Sequence, residues 1–415
     1  MSSTKLSLTV VQDLCERYSN QKIDYNGVEL LSYSLKKSND APAGYLGRHE
    51  VLSVIIQKKP SEAPQELIFF IKTAPIDIAS RQKYIEEFGV FKKEVSVYAN
   101  LLPKLSKGQL DFSARCYYAK DDILVFEHLG EMGFRMGSDR SGLLDFDHLK
   151  CALSSLANMH ASSIVFEAKN QLKICDMFPE IVKENAYPAA AHSIRRENFD
   201  NGVVALCEII KIMPEFKASK HLDFILKQFP REMNKIFDFV KPSSKYLNVF
   251  SHGDLWANNL LFKYENNRPV QSRIVDFQLT RYAPPILDVI TVLTIPTSRK
   301  FRSEHLDSLL ASYYSMLGYF LKQHGFQIND FLTPQQFEES IREFKEHGLI
   351  ESCLFSHLTI LPTELTESVV SDEGFEDFFK NKRNEICLKA FNTDEVYRSR
   401  LSDMISDIVN NYILN

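Results

Sequence analysis

Apolar residues at Leu6, Val10, Val11 and Leu14 recur at helical spacing, so the chain opens on an amphipathic helix. Shorter runs follow. Residues 28–36, 49–57 and Gln65–Thr73 read as strands, the third apolar except for Lys72 near its end. From Ile78 to Leu102 the period is helical again and stops at Pro103, and two more strands are predicted at Ala114–Ala119 and Ile123–Leu129. After Gly130 helical periodicity dominates. Asp145–Ser162 places Leu149, Ala152, Leu153, Leu156, Ala157 and His160 on one face. Helical segments run on to about Val240, short strands interrupt at 248–282, and long helices are predicted at 303–324, 335–347 and 393–413. Leu365–Asp377 carries five acidic residues and no basic one, and reads as a solvated loop. The pattern predicts an α+β protein: a small sheet-bearing lobe over residues 1–130 and a larger, mostly helical lobe over 131–415.

Composition narrows the function classes. A net charge of −5 on 415 residues gives no basic surface for nucleic acid. The densest apolar run, Leu67–Ile71, is far too short to span a bilayer, and the first twenty residues lack the continuous apolar stretch of a signal peptide. Seven scattered cysteines form no CxxC pair, which predicts neither a zinc site nor a disulfide framework and fits reduced thiols in a cytoplasmic protein.

The chemistry concentrates in two stretches, His252-Gly-Asp-Leu-Trp-Ala-Asn-Asn259 and Ile274-Val-Asp-Phe-Gln278. Phosphoryl transfer from a nucleotide needs a carboxylate to hold the acceptor hydroxyl and oxygen ligands for magnesium. Asp254 supplies the first, and Asn259 with Asp276 the second. Lys72, on the third strand of a small lobe, is placed to reach nucleotide phosphates if a helix carboxylate holds it. Glu94, sharing a helical face with Phe91 and Tyr98, is the candidate partner, with Glu86 and Glu87 as alternatives. Gly44 and Gly47, in Ala43–Arg48, can let backbone amides approach phosphate or can make a plain hairpin turn. The backbone from Glu127 to Leu129 is the expected dock for an adenine edge. His252 is read as a brace for the loop, His160 as a satisfied core histidine, and Asp288 as a cap or brace for the helix near Pro285. Trp256 either lines an acceptor pocket or packs under the loop.

At these residues the sequence resembles the ecdysteroid kinase-like (CHK kinase-like) family, which belongs with choline kinases and aminoglycoside phosphotransferases in the protein-kinase-like fold. The likeness rests on His252–Asn259 followed by Leu260-Leu261-Phe262, on Val275–Leu279, and on Arg281-Tyr282-Ala283-Pro284-Pro285. The Phe91–Glu94–Tyr98 helix, His160-Ala161 and Asp288 extend it. The resemblance implies a bilobal fold with ATP as donor, Asp254 as catalytic base, Asn259 and Asp276 as Mg2+ ligands, and Lys72 with Glu94 holding phosphate. It also implies a hydroxyl of an ecdysteroid, or of a similar hydroxylated small molecule, as acceptor.

A protein substrate is disfavoured. The separation of 125 positions from Glu127 to His252 exceeds what two helices need, and His-Gly replaces the His-Arg that reads a phosphorylated activation loop. An inserted helical segment walling a pocket suits a small acceptor. A choline- or ethanolamine-type kinase and a ligand-binding protein without turnover are the alternatives.

Overall fold

The computed structural model describes residues 8–22, 29–37, 47–57, 61–74, 79–106, 111–120, 122–188, 190, 193–370 and 372–415. Helix α1 (Leu8–Lys22) precedes strands β1 (Glu29–Lys37), β2 (Arg48–Gln57) and β3 (Gln65–Thr73). Helices α2 (Ala79–Phe88), α3 (Val90–Ser96) and α4 (Leu102–Ser106) follow, then β4 (Cys116–Lys120) and β5 (Ile123–Glu127). The five strands form one antiparallel sheet in the order β1-β2-β3-β5-β4. Both faces of β3 are covered, which is why it reads as an almost unbroken apolar run. Leu67, Phe69 and Ile71 pack with Val11, Leu14 and Cys15 of α1 in one core, while Phe70 packs against the larger core on the other side.

The helical part begins with β6 (Phe134–Met136), α5 (Phe146–Asn170), the short α6 (Ile174–Met177) and α7 (Pro179–Val182), α8 (Ile194–Ile212), α9 (Leu222–Asn234) and α10 (Ile236–Phe239). Asp145 caps α5 by accepting the His148 N–H. Three short strands then frame the chemistry-bearing loops: β7 (Val249–Ser251), β8 (Leu260–Glu265) and β9 (Arg268–Ile274), with β10 (Arg281–Ala283) pairing back on β7. Asn266 and Asn267 both take positive φ, as a two-residue turn between β8 and β9 requires. The chain closes with α11 (Pro285–Thr294), α12 (Arg299–Gln323), α13 (Pro334–Thr359), α14 (Thr363–Val370), α15 (Asp372–Asp377), α16 (Arg383–Thr393) and α17 (Glu395–Ile408).

Two expectations change. The helix expected to stop at Pro103 instead runs through a π-helical turn, Val97–Leu101, into α4. Proline sits there in the first turn of a new helical segment, where its missing N–H costs little. The acidic stretch Leu365–Asp377, expected as a loop, is helical over Leu365–Val370 and Asp372–Asp377. It carries an apolar seam: Val369 and Phe375 are buried, and Phe375 meets the ring of Tyr84 edge-on at 5.5 Å. Among the described residues no helix is long and apolar enough to cross a membrane, and all seven cysteines are free thiols.

Candidate active site

Strand alternation sets the sheet side of the cleft. With Phe69 and Ile71 turned toward α1, Lys72 points the other way. Its Nζ donates to Glu94 Oε2 at 2.6 Å and to Asp276 Oδ1 at 2.7 Å. Glu94 is held because α3 and the π-helical turn after it bury Phe91, Glu94 and Tyr98 together. Burial works against charge on Lys72, but Asp276 and Glu94 outweigh it and keep the ammonium protonated. His49, opposite Lys72 across the β2–β3 ladder, is pushed down to about 4 by burial and by that ammonium, so it is neutral. A methyl at Gly47 would stand 3.1 Å from Lys72 Cε, so glycine there keeps the backbone close over the lysine. Gly44 lies outside the described residues.

The loop after β7 is positioned by buried groups from three elements. Asp288, on α11, accepts the N–H groups of His252 at 2.7 Å and Gly253 at 3.0 Å, and its Oδ2 lies 3.2 Å from His160 Nε2. It therefore braces this loop rather than capping its own helix. His160 Nδ1 completes its contacts with the Tyr313 hydroxyl at 2.7 Å. His252 Nε2 lies 3.0 Å from the Val275 carbonyl, which can only accept, so Nδ1 is the acceptor for the Asp254 N–H at 3.2 Å. That tautomer ties the two chemical stretches together. Gly253 has φ of 74°, and a methyl there would collide with the Leu279 carbonyl oxygen.

This frame delivers Asp254, 4% exposed, into the same cleft as Asp276 and Lys72. Burial, then the nearby Asp276 charge, pushes the Asp254 carboxyl well above the usual range, while hydrogen bonds from Gln278 and Asn259 pull the other way. Asn259 Nδ2 also donates to the Asp254 carbonyl at 2.8 Å. Asp276 itself adopts φ of 71°, a left-handed conformation costly for a non-glycine residue, at the end of β9 and against Lys72.

Glu127 ends β5, paired across the sheet with Phe69 of β3. The Glu127 N–H and carboxylate pair with the Arg115 backbone, and the Leu129 carbonyl accepts the N–H groups of Met132 and Phe134. Neither lines the cleft around Asp254.

Sequence reading missed two features. Lys93, next to Glu94, is buried and donates to the carbonyls of Lys183 (2.6 Å) and Thr280 (2.8 Å) and to Asn185 Oδ1 (3.0 Å). It clasps α3 to the segment following Asp276. The second is the far wall of the cleft, built from α2, α8, α13 and α16, where Tyr84, Arg195, Asn198, His357 and Arg383 meet. A lysine beside a glutamate and residues scattered over 300 positions carry no local pattern. Trp256 does line the cleft.

The donor set fits a magnesium nucleotide. Among the described residues no three His, Cys, Asp or Glu side chains could hold a metal alone. Magnesium, however, takes one or two protein oxygens and completes its shell with phosphate and water. Asp276 and Asn259 can offer those oxygens, and Lys72 is a fixed cation beside them.

A two-layered lobe carrying a lysine–glutamate pair, facing a helical lobe whose loops carry paired aspartates, is the architecture of the protein-kinase-like fold. The sequence model of the ecdysteroid kinase-like family matches residues 44–326, about two thirds of the chain, and the chain belongs to that family. No curated protein matches it significantly. Similar solved structures include an ethanolamine kinase of Plasmodium vivax, at 11% identity over 95% of this chain and 91% of that one, with a TM-score of 0.37. A microcompartment-associated aminopropanol kinase is similar at 11% identity over 96% and 98%, with a TM-score of 0.43. The GDP complex of aminoglycoside 2'-phosphotransferase-IIIa is similar at 12% identity over 98% and 100%, with a TM-score of 0.34.

Proposed function

We propose that this chain is an ATP-dependent small-molecule kinase that phosphorylates a hydroxyl of an ecdysteroid or a similar hydroxylated lipophile. The observation that carries the reading is the convergence of the Lys72–Glu94 pair, Asp276 and Asp254 on one cleft. Family membership favours the acceptor class, and the aromatic lining of the cleft by Tyr84, Tyr187, Phe199 and Phe379 agrees with a lipophilic molecule. Residues 1–130 are proposed as the nucleotide-holding lobe and 131–415 as the catalytic and acceptor-binding lobe. In support, β5 ends at Glu127 and the next strand, β6, pairs with β8 near the catalytic loop.

In this reading Lys72, fixed by Glu94, holds the phosphate oxygens, and Gly47 leaves the backbone room above it. Asp276 and Asn259 offer the oxygens for Mg2+. Bound Mg-ATP supplies the γ-phosphoryl group and a metal ion that offsets its charge. Asp254 orients the acceptor hydroxyl and takes its proton as the oxygen attacks. Its raised pKa is suited to that role, since a base titrating nearer neutrality takes a proton more readily than an ordinary carboxylate.

The test is ADP release from Mg-ATP with purified protein and a panel of ecdysteroids, sterols, choline and ethanolamine, with Asp254→Ala as control. Turnover of a steroid, lost in the variant, is expected. Turnover of choline alone would refute the acceptor class, and nucleotide binding with no turnover on any acceptor would refute the kinase reading.

A further inference from the structure

The far wall of the cleft holds an unusual set of polar groups. His357, near the C-terminal end of α13, is 2% exposed. Its Nδ1 lies 3.0 Å from the Cys353 carbonyl one helical turn back, which can only accept, so Nδ1 carries the proton. Burial, then the Arg383 charge, pushes the imidazole down to about 3, so the ring is neutral and Nε2 is a bare lone pair. Nε2 has no hydrogen-bond partner among the described residues, although a buried acceptor left unpaired is costly.

The Cε1–Nε2 edge of this ring faces Gly202, in the interior of α8. A methyl there would lie 3.2 Å from both ring atoms and 3.4 Å from Arg383 Nη1. Glycine inside a helix is unfavourable relative to alanine. Here the missing methyl lets the imidazole edge pack closely against α8, and Gly202, His357 and Arg383 all line the cleft that contains Asp254. Arg383 is immobilised by the Asn198 carbonyl at 2.7 Å and by the Asn198 side chain.

A ligand group that fits this spot must donate a hydrogen to Nε2 and tolerate the adjacent positive charge. A hydroxyl does both, since it carries one donor and two lone pairs. An ammonium satisfies Nε2 but meets Arg383 and Arg195, and the cleft's own carboxylates, Asp254 and Asp276, lie at its transfer end. A carboxylate suits the arginines but repels the lone pair. We propose that His357, a buried and unpartnered acceptor in the cleft wall beside Gly202, is a specificity-determining residue that reads a second hydroxyl on the acceptor, remote from the one that is phosphorylated. The acceptor class is then a neutral lipophile with hydroxyls at opposite ends. This rests on the small-molecule kinase reading above.

The single tryptophan of the chain, Trp256, lines the cleft and provides a binding signal that does not depend on turnover. Binding of 5α-androstan-3β-ol and of 5α-androstane-3β,17β-diol would be followed by Trp256 fluorescence, alongside ADP release from Mg-ATP with each. In the wild type the diol is expected to bind roughly tenfold more tightly, the worth of about one good hydrogen bond to a buried group. In His357→Phe the ratio of the two affinities should fall to about one, while His357→Gln, which keeps an acceptor oxygen, should recover part of it. Gly202→Ala, which presses a methyl onto the Cε1–Nε2 edge and Arg383, should lose the preference as His357→Phe does, and a thermal melt establishes that each variant is folded. Equal affinities in the wild type, no binding of either steroid, or an unchanged ratio in the folded Phe or Ala variant would overturn the proposal. A diol preference in binding, abolished by His357→Phe but with no ADP release, would support the acceptor site and count against the kinase reading alone.

Discussion

Replacing Lys93 by Met tests whether the clasp between α3 and the segment after Asp276 is a buried charge. Burial is the largest influence on the Lys93 ammonium; it outweighs the pull of Glu184 and lowers the pKa from 10.5 to about 7. Between those values the unfolded chain binds a proton that the folded chain has released. Stability therefore rises with pH across this window and is lowest, as far as Lys93 is concerned, below pH 7. One proton bound by the unfolded chain alone changes stability by about 1.4 kcal/mol for each pH step of one, and integrating between about pH 7 and pH 9 gives the wild type about 2 kcal/mol. Lys93→Met lacks the titrating group, while every other group titrates alike in both proteins and cancels. The variant also strands the Lys183 and Thr280 carbonyls and Asn185 Oδ1, at ~1–3 kcal/mol for each group left unsatisfied. Urea unfolding of both proteins at the two pH values gives the difference directly. The wild type should gain about 2 kcal/mol on the variant as pH rises. A difference that is flat or falls with pH would refute the buried-charge account.

Two further outcomes follow from the catalytic loop. Gly253→Ala forces a side chain into φ of 74° and against the Leu279 carbonyl, so it should cost at least ~1–2 kcal/mol and lower the melting temperature; an unchanged melt would contradict the loop geometry. Asp254 must be ionised to act as a base and its pKa is raised, so kcat/KM should climb along an acid limb well above the usual carboxylate range, and Asp254→Asn should lower the rate by ~10²–10⁴. A profile flat from acid pH upward would remove Asp254 from that role.

Local pattern made much of this molecule legible. Strand periodicity marked Gln65–Thr73 to the residue, because β3 is covered on both faces and its apolar run is uninterrupted until Lys72. The face shared by Phe91, Glu94 and Tyr98 marked the partner of Lys72, because a carboxylate on an otherwise apolar helix face needs a cation. The acidic stretch after Leu365 misled, since charge density outweighed the spaced Val369 and Phe375 that bury it. Lys93 was invisible for a related reason. On paper a lysine beside a glutamate is a solvated pair, and only the approach of Lys183, Asn185 and Thr280 makes it interior.

What the chain alone determined was its family: His252–Asn259 and Val275–Leu279, with Lys72 and Glu94 far upstream, carry a likeness that the family model over residues 44–326 bears out, because such motifs are local runs of residue types that can be read without the fold. What only tertiary structure decided was the far wall of the cleft. Gly202, His357 and Arg383 come from three helices, and their meaning lies in a neutral imidazole edge, an absent methyl and a guanidinium brought to one point. Packing between distant helices creates that point, and no local period in the sequence encodes it.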